Sequence, residues 1–218
     1  MKRILCFGDS NTYGHSAELY EARDNNKTRF DENTRYPKVL EQLFHGEYEV
    51  IEEGCGGRMS AFGEGDNAWL NGLKYVYPCV ESHAPLSAVV LMLGTNDINN
   101  MGGQDAKHSA EGVRKIVNEI RRWSSVQGKT CPHILVVSPP LIKVADYELL
   151  KNVYDYEWAE QESRKFKQYF EIMAKEENCA FLASEDYAEA SSIDGVHLSA
   201  ESHRCLGKAI FEKLSKML

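Results

Sequence analysis

Short apolar runs that alternate with longer amphipathic stretches constrain the fold of this 218-residue chain more than any other feature. Five short runs, bounded by Gly, Pro or polar residues, are predicted to be strands: Arg3–Phe7, Glu49–Glu52, Ala88–Leu93, Ile134–Ser138 and Cys179–Ala183. Runs that are apolar at nearly every position are typical of a parallel sheet buried on both faces. Apolar residues recur at helical spacing in three intervening stretches: Glu111–Ser124, Trp158–Glu177 and Ala200–Leu218. This alternation predicts a doubly wound α/β fold.

Composition and patterning favour a single domain over residues 1–218. Hydrophobic residues make up 43% of the chain and charged residues 27%, which is usual for a globular protein. No internal repeat and no Pro/Gly/Ser-rich linker divides the sequence. Six cysteines occur, and none is spaced as a CxxC pair, so a zinc ribbon and a thioredoxin-like motif are excluded. We expect these cysteines to be reduced thiols.

The charge balance argues against a nucleic-acid partner. Asp and Glu number 33 against 25 Lys and Arg, which gives a net charge of −8, whereas binding to phosphates needs a basic face. The chain also contains no apolar run as long as a signal peptide's core, about 7–15 residues, or as a membrane span of about 20. We therefore expect a cytoplasmic protein without a membrane partner.

Polar side chains and small residues follow the predicted strands, where an open α/β sheet binds its ligands. Four such loops hold Gly8-Asp9-Ser10-Asn11-Thr12-Tyr13-Gly14, Gly54-Cys55-Gly56-Gly57-Arg58, Gly94-Thr95-Asn96-Asp97 and Asp194-Gly195-Val196-His197-Leu198. They contain what acyl transfer requires: a serine, a histidine that can act as its base, and a carboxylate three residues before that histidine to orient it. The Ser10 N–H, the Gly57 N–H and the Asn96 side-chain amide are candidate donors to an oxyanion.

Each of these residues has a simpler interpretation when taken alone. Ser10 could be a helix N-cap, Gly57 part of a turn, Asn96 a local backbone cap, and the Asp194–His197 pair a surface feature. The functional interpretation is favoured because all four signals fall at the same end of different predicted strands. Asn11, His15 and Tyr147 are predicted to line the substrate pocket. Tyr147 belongs to one of two long polar stretches, Glu18–Arg35 and Pro139–Tyr156, of which the second is expected to form a substrate wall.

These blocks together resemble the SGNH hydrolases, also called GDSL-type esterases. The resemblance rests on Gly8-Asp9-Ser10-Asn11, Gly57, Gly94-Thr95-Asn96-Asp97 and Asp194-Gly195-Val196-His197, and it spans essentially the whole chain. The stretches 2–10, 50–54, 92–97 and 136–140 are similar to the bacterial arylesterase and acyltransferase branch. The resemblance implies a flavodoxin-like α/β/α fold, in three layers, with a five-stranded parallel sheet. It also implies that Ser10 is the nucleophile, His197 the base and Asp194 its orienter, with Ser10, Gly57 and Asn96 forming the oxyanion hole.

The expected activity is hydrolysis of small acyl esters through an acyl-enzyme, without a metal or organic cofactor. Acyl transfer is a second reaction of this branch, but His15 stands where acyltransferase-like members carry a tryptophan, so the resemblance does not imply that transfer to alcohols is favoured over hydrolysis. Branch members form oligomers, which makes a homo-oligomer an expectation here. A carbohydrate acetylesterase with the same mechanism is the alternative substrate class. A flavin- or nucleotide-binding module on the same fold is disfavoured, because Asp9 would repel a phosphate. An α/β-hydrolase is disfavoured because no serine lies in a G-x-S-x-G motif.

Overall fold

One sheet of five parallel strands organises the molecule in a computed structural model that describes residues 1–21 and 28–218. Its strands are β1 (Lys2–Gly8), β2 (Tyr48–Gly54), β3 (Ala88–Met92), β4 (His133–Ser138) and β5 (Ala180–Ala183), in the order β2-β1-β3-β4-β5. β1 lies between β2 and β3, and its Leu5 pairs with Ile51 of β2 on one side and with Val89 of β3 on the other. The predicted α/β fold with a five-stranded parallel sheet is confirmed.

Helices cover both faces of the sheet. They are α1 (Ser10–Tyr13), α2 (Ala17–Glu21), α3 (Tyr36–Leu43), α4 (Gly72–His83), α5 (Ala106–Val126), α6 (Tyr156–Ser163), α7 (Phe166–Glu176) and α8 (Ala200–Leu214), with 3-10 helices at Gly65–Leu70 and Ser184–Asp186. None of the helices in the described part of the chain combines the length and the apolar character needed to cross a bilayer.

Two hydrophobic cores result from the alternation of side chains along each strand. In β1, Leu5 and Phe7 point to a core formed with α4, α5 and α7, while Ile4 and Cys6 point to a core formed with α3 and α8. All four side chains are fully buried, which explains why the strand is apolar at every one of these positions.

The C-terminal half differs from the predicted helices in two places. The stretch Trp158–Glu177, predicted as one helix, is two helices, α6 and α7. The break follows Ser163, whose buried hydroxyl accepts a hydrogen bond from the backbone N–H of Ile142 at 3.0 Å and so fixes the end of α6 to the loop after β4. The helix predicted over Ala200–Leu218 ends at Leu214, which is its last fully buried apolar residue.

The order of the strands places the functional loops together. The connection from β1 leaves to one side of the sheet and the connection from β3 to the other, so a crevice opens between the C-terminal ends of β1 and β3. The polar stretch Glu18–Arg35 lies beside this region: Phe30 N donates to Gly14 O at 2.8 Å, and Arg35 pairs with Glu52 at 2.6 Å. Residues 22–27 of this stretch lie outside the described residues.

Candidate active site

Ser10 begins the short helix α1, directly after β1 ends. Asp9 caps this helix: its buried side chain accepts a hydrogen bond from the backbone N–H of Asn11 at 2.9 Å. The helix starts within two residues of the strand, and this approach requires a glycine at position 8. A Cβ on Gly8 would lie 1.9 Å from Oγ1 of Thr12. The serine is thereby held at the edge of the sheet with its hydroxyl directed to His197.

His197 lies between Ser10 and Asp194 in a continuous hydrogen-bonded row. Its Nε2 is 2.9 Å from Ser10 Oγ, and its Nδ1 is 2.5 Å from Asp194 Oδ2. The other oxygen of Asp194 accepts the backbone N–H groups of Val196 and His197, both at 3.0 Å. Burial alone would raise the pKa of Asp194, but the hydrogen bond from the His197 ring, the charge of that ring and the two N–H groups lower it. Asp194 is therefore an ionised acceptor for the Nδ1–H of His197.

Asn11 holds the His197 loop against α1, and the prediction that it lines the pocket is wrong. Its side chain is fully buried, with Oδ1 accepting from Leu198 N at 2.9 Å and Nδ2 donating to Val196 O at 3.4 Å. These two backbone groups flank His197 on either side. Asn11 is excluded from the cavity wall because both ends of its amide are committed to this loop.

Asn96 projects from the loop after β3, and its amide is held from both ends. One N–H of Nδ2 donates to Arg58 O at 3.1 Å, and Oδ1 accepts from the Tyr154 hydroxyl at 3.3 Å. An amide nitrogen carries two hydrogens, so one remains for a ligand in the cavity. Gly57 precedes Arg58 in a tight turn closed by Arg58 N to Cys55 O at 3.1 Å, and its φ of 77° accounts for a glycine at this position.

Polar contacts tie the Gly57 loop to the ends of β1 and β2 and to the loop after β3. The Arg58 guanidinium donates through Nη1 to the carbonyl oxygens of Gly8 and Glu53. The Asp97 carboxylate accepts two hydrogen bonds from Ser60, one from its backbone N–H at 2.8 Å and one from its hydroxyl at 2.7 Å. Burial raises the pKa of Asp97 to about 7, although both bonds from Ser60 lower it. The candidate oxyanion donors are thus positioned by groups that sequence reasoning did not assign.

A cavity of about 380 Å³ opens in front of the serine. Polar groups gather at one end, where Ser10, Gly57, Asn96 and His197 line it. The remaining wall is mostly apolar and includes Leu70, Met101, Tyr147, Leu149, Leu150, Val153 and Tyr154. Five of these seven belong to the stretch Pro139–Tyr156, which the structure therefore places along the cavity.

His15 lines the same cavity and packs on His197, with ring centroids 4.2 Å apart. Burial, helped by the charge of His197, lowers the pKa of His15 to about 4. At neutral pH the ring is uncharged, so it covers His197 without opposing the formation of an imidazolium there. Burial also raises the pKa of Asp9 to about 6, although the charge of His197 lowers it.

Two tyrosines at the start of α6, Tyr154 just before it and Tyr156 as its first residue, are the site residues that the sequence did not resolve. Tyr154 reaches Asn96, and Tyr156 donates its hydroxyl to the backbone oxygen of Asp194 at 2.6 Å. The sequence signal was an aromatic-rich polar loop, which indicated a wall but not these partners. The combined arrangement of a hydroxyl, an imidazole and a carboxylate beside convergent N–H donors can activate a serine and stabilise an oxyanion.

Comparison with known proteins agrees with this class of site. The model of the GDSL-like lipase/acylhydrolase family matches residues 6–205. A carbohydrate acetylesterase family member from Sinorhizobium meliloti is 30% identical and superposes with a TM-score of 0.90, over 100% of this chain and 99% of its own. The aryl esterase of M. smegmatis is also 30% identical, with a TM-score of 0.90 and full coverage of both chains. The sequence matches no curated protein.

The fold, the site and the matches to known proteins therefore define a carboxylic ester hydrolase built on a parallel sheet between helices. The chain belongs to the GDSL-like lipase/acylhydrolase family, which confirms the resemblance seen in the sequence.

Proposed function

We propose that the protein is a serine esterase that hydrolyses short acyl esters of small alcohols or phenols. The observation that carries the proposal is the row Ser10 Oγ, His197 Nε2 and Nδ1, Asp194 Oδ2, joined at 2.9 and 2.5 Å. Ser10 is the nucleophile, His197 the general base and Asp194 the group that orients the ring. The Ser10 and Gly57 N–H groups and the free N–H of Asn96 receive the oxyanion.

The first half of the reaction forms an acyl-enzyme. Ser10 Oγ attacks the ester carbonyl carbon while its proton passes to His197 Nε2, and the carbonyl oxygen becomes the oxyanion. When the tetrahedral intermediate collapses, the bond between carbon and the leaving oxygen breaks. His197 returns its proton to that oxygen, so the alcohol leaves neutral and the acyl group remains on Ser10.

The second half repeats these steps with water in place of Ser10. Water attacks the acyl carbon, and His197 takes one of its protons. Collapse breaks the bond to Ser10 Oγ, which recovers the proton from His197, and the carboxylic acid is released. Throughout, the ionised Asp194 stabilises the imidazolium that forms twice in each cycle.

The cavity limits the substrate to a small, largely uncharged ester. Its volume of about 380 Å³ lies near the lower end of ligand pockets, which span roughly 300–1,000 Å³. Leu149 and Met101 form part of its apolar wall, and both side chains are about half exposed, so the mouth is open to solvent. An aromatic or short aliphatic group fits such a wall better than a charged one.

A carbohydrate acetylesterase is a second candidate because a solved relative of 30% identity is described as one. The same reaction steps apply, with an acetylated sugar hydroxyl as the leaving group. Polar groups of the wall, such as Asn99 and Tyr147, are the side chains that could contact a sugar.

Rates measured on two substrate series test the proposal. We expect nitrophenyl acetate, propionate and butyrate to be hydrolysed with kcat/KM falling as the acyl chain lengthens, and acetylated oligosaccharides to release acetate more slowly. Faster release of acetate from acetylated oligosaccharides than from nitrophenyl acetate would favour the acetylesterase.

A serine variant links either activity to the described site. Ser10→Ala should retain the fold and lose at least about 1,000-fold in kcat, because the nucleophile is removed. Ser124→Ala is the matched control, since Ser124 is also buried but its hydroxyl donates within α5, to Ile120 O at 3.0 Å. Full activity in a folded Ser10→Ala protein would contradict the proposal for both substrate classes.

A further inference from the structure

Three metal-ligand side chains meet on the face of the sheet away from α3 and α8, outside the cavity in front of Ser10. Glu53 lies near the end of β2, and Cys79 and His83 lie on α4. The nitrogen His83 Nε2 is 2.8 Å from Glu53 Oε1. Cys79 Sγ, the His83 ring nitrogen and a carboxylate oxygen all lie within 4.8 Å of one another.

The two helical residues converge on one point because they are four positions apart. Side chains at i and i+4 share one face of a helix. Here that face packs on the sheet, where Cys79 is buried against the core with Val76 and Val80. The backbone oxygen of His83 also accepts a hydrogen bond from Arg3 of β1 at 3.4 Å, which holds the end of α4 on the sheet.

The donor set matches zinc. Thiolate, imidazole and carboxylate are its protein ligands, at about 2.3, 2.0 and 2.0–2.2 Å. A tetrahedral ion at these distances would hold its ligand atoms roughly 3.3–3.6 Å apart. To reach that range, separations of up to 4.8 Å would shorten by about 1 Å, and the 2.8 Å contact between His83 Nε2 and Glu53 Oε1 would lengthen by about 0.5 Å.

The cluster is open to solvent on the side of His83 and Glu53, which gives an ion a route to it. The side chains of His83 and Glu53 are 30% and 19% exposed, whereas Cys79 is almost fully buried. A cation can thus enter from the solvent side and keep a water as its fourth ligand. Burial raises the pKa of Cys79 to about 12, so the free thiol is protonated, and a binding cation displaces that proton to solvent.

We propose that Glu53, Cys79 and His83 form a zinc-binding site that is separate from the ester-hydrolysing centre. With the thiolate formed, two negative ligands balance the divalent charge, and the ion joins α4 to β2. None of the three residues lines the cavity in front of Ser10, so the site takes no part in ester chemistry.

Cobalt(II) is the probe that tests this site, because thiolate ligation gives it an intense charge-transfer absorption. Titration of the metal-free protein with CoCl2 should give this band, saturating at one cobalt per chain and abolished by one equivalent of Zn²⁺. Cys79→Ser should lose the band. His83→Gln should weaken cobalt binding at least about 100-fold, since even loss of an outer-shell partner typically costs about 10- to 100-fold.

Cys131→Ser is the matched control, because Cys131 is an exposed thiol outside the cluster. It should keep the band, and ester hydrolysis by each variant reports whether it is folded. Absence of the band in the native protein at millimolar cobalt would overturn the proposal. So would a band that survives in Cys79→Ser, retains native affinity in His83→Gln or disappears in Cys131→Ser.

Discussion

Replacement of Asn11 by alanine should slow catalysis although Asn11 does not touch the substrate cavity. Its side chain bonds Leu198 N at 2.9 Å and Val196 O at 3.4 Å, the backbone groups on either side of His197. Asn11→Ala leaves both groups buried and unpaired. An unpaired buried group costs about 1–3 kcal/mol. Because the 3.4 Å bond is weak, we expect a total loss of about 2–4 kcal/mol in the free energy of unfolding.

A native protein of ordinary stability, about 5–15 kcal/mol, stays folded after such a loss. The freed loop no longer fixes His197, and misplacement of a reacting group by about 1 Å can cost about 100-fold in rate. We therefore expect kcat for nitrophenyl acetate to fall roughly 10- to 100-fold, with KM nearly unchanged.

Steady-state kinetics and urea unfolding of two asparagine variants separate positioning from stability. Asn71 is buried and makes the same kinds of bond, accepting from Lys74 N at 3.2 Å and donating to Gly63 O at 3.4 Å. Asn71→Ala should lose similar stability and retain kcat. A folded Asn11→Ala protein with the native kcat would refute the positioning role.

Three further predictions follow from other residues. Asn96→Ala should lower kcat roughly 100- to 1,000-fold with little change in KM, as loss of an oxyanion donor does; native kcat would exclude that role. Tyr154→Phe should lower kcat about fivefold, because it removes one hydrogen bond worth about 1 kcal/mol that orients Asn96; an unchanged rate would show that the amide needs no such support. Burial, helped by the charge of His197, lowers the pKa of His203 to about 3. The unfolded chain therefore binds a proton below about pH 6.5 that folded His203 does not, which costs about 2 kcal/mol of stability between pH 7 and 5. In urea unfolding, the free energy of unfolding of His203→Gln should therefore fall less between pH 7 and 5 than that of the native protein. An equal fall in both proteins would contradict a lowered pKa of His203.

The strands and the residues at their ends were predictable because both depend on local sequence. A run such as Ile4–Phe7 is apolar at every position because both faces of β1 are buried, and this pattern is visible without a structure. Once the strands are assigned, the proximity of Ser10, Asn96 and Asp194 is predictable, because the carboxyl ends of parallel strands share one edge of the sheet.

The positions that depend on distant contacts were not predictable. Asn11 precedes its partner Leu198 by 187 residues, and no local pattern distinguishes a buried tether from a pocket residue. The division of the helix predicted over Trp158–Glu177 has the same origin. The hydroxyl of Ser163 binds Ile142 N, 21 residues earlier, and this tertiary contact overrides the helical periodicity.

Covalent labelling tests the central claim, that His197 activates Ser10 for attack on an ester. A serine-directed phosphonate ester should modify the native protein once, and peptide mass mapping should place the adduct on Ser10. In His197→Ala the same adduct should form at least about 1,000-fold more slowly, because the base is absent. An adduct on another residue, or labelling of Ser10 at the native rate in His197→Ala, would contradict the account.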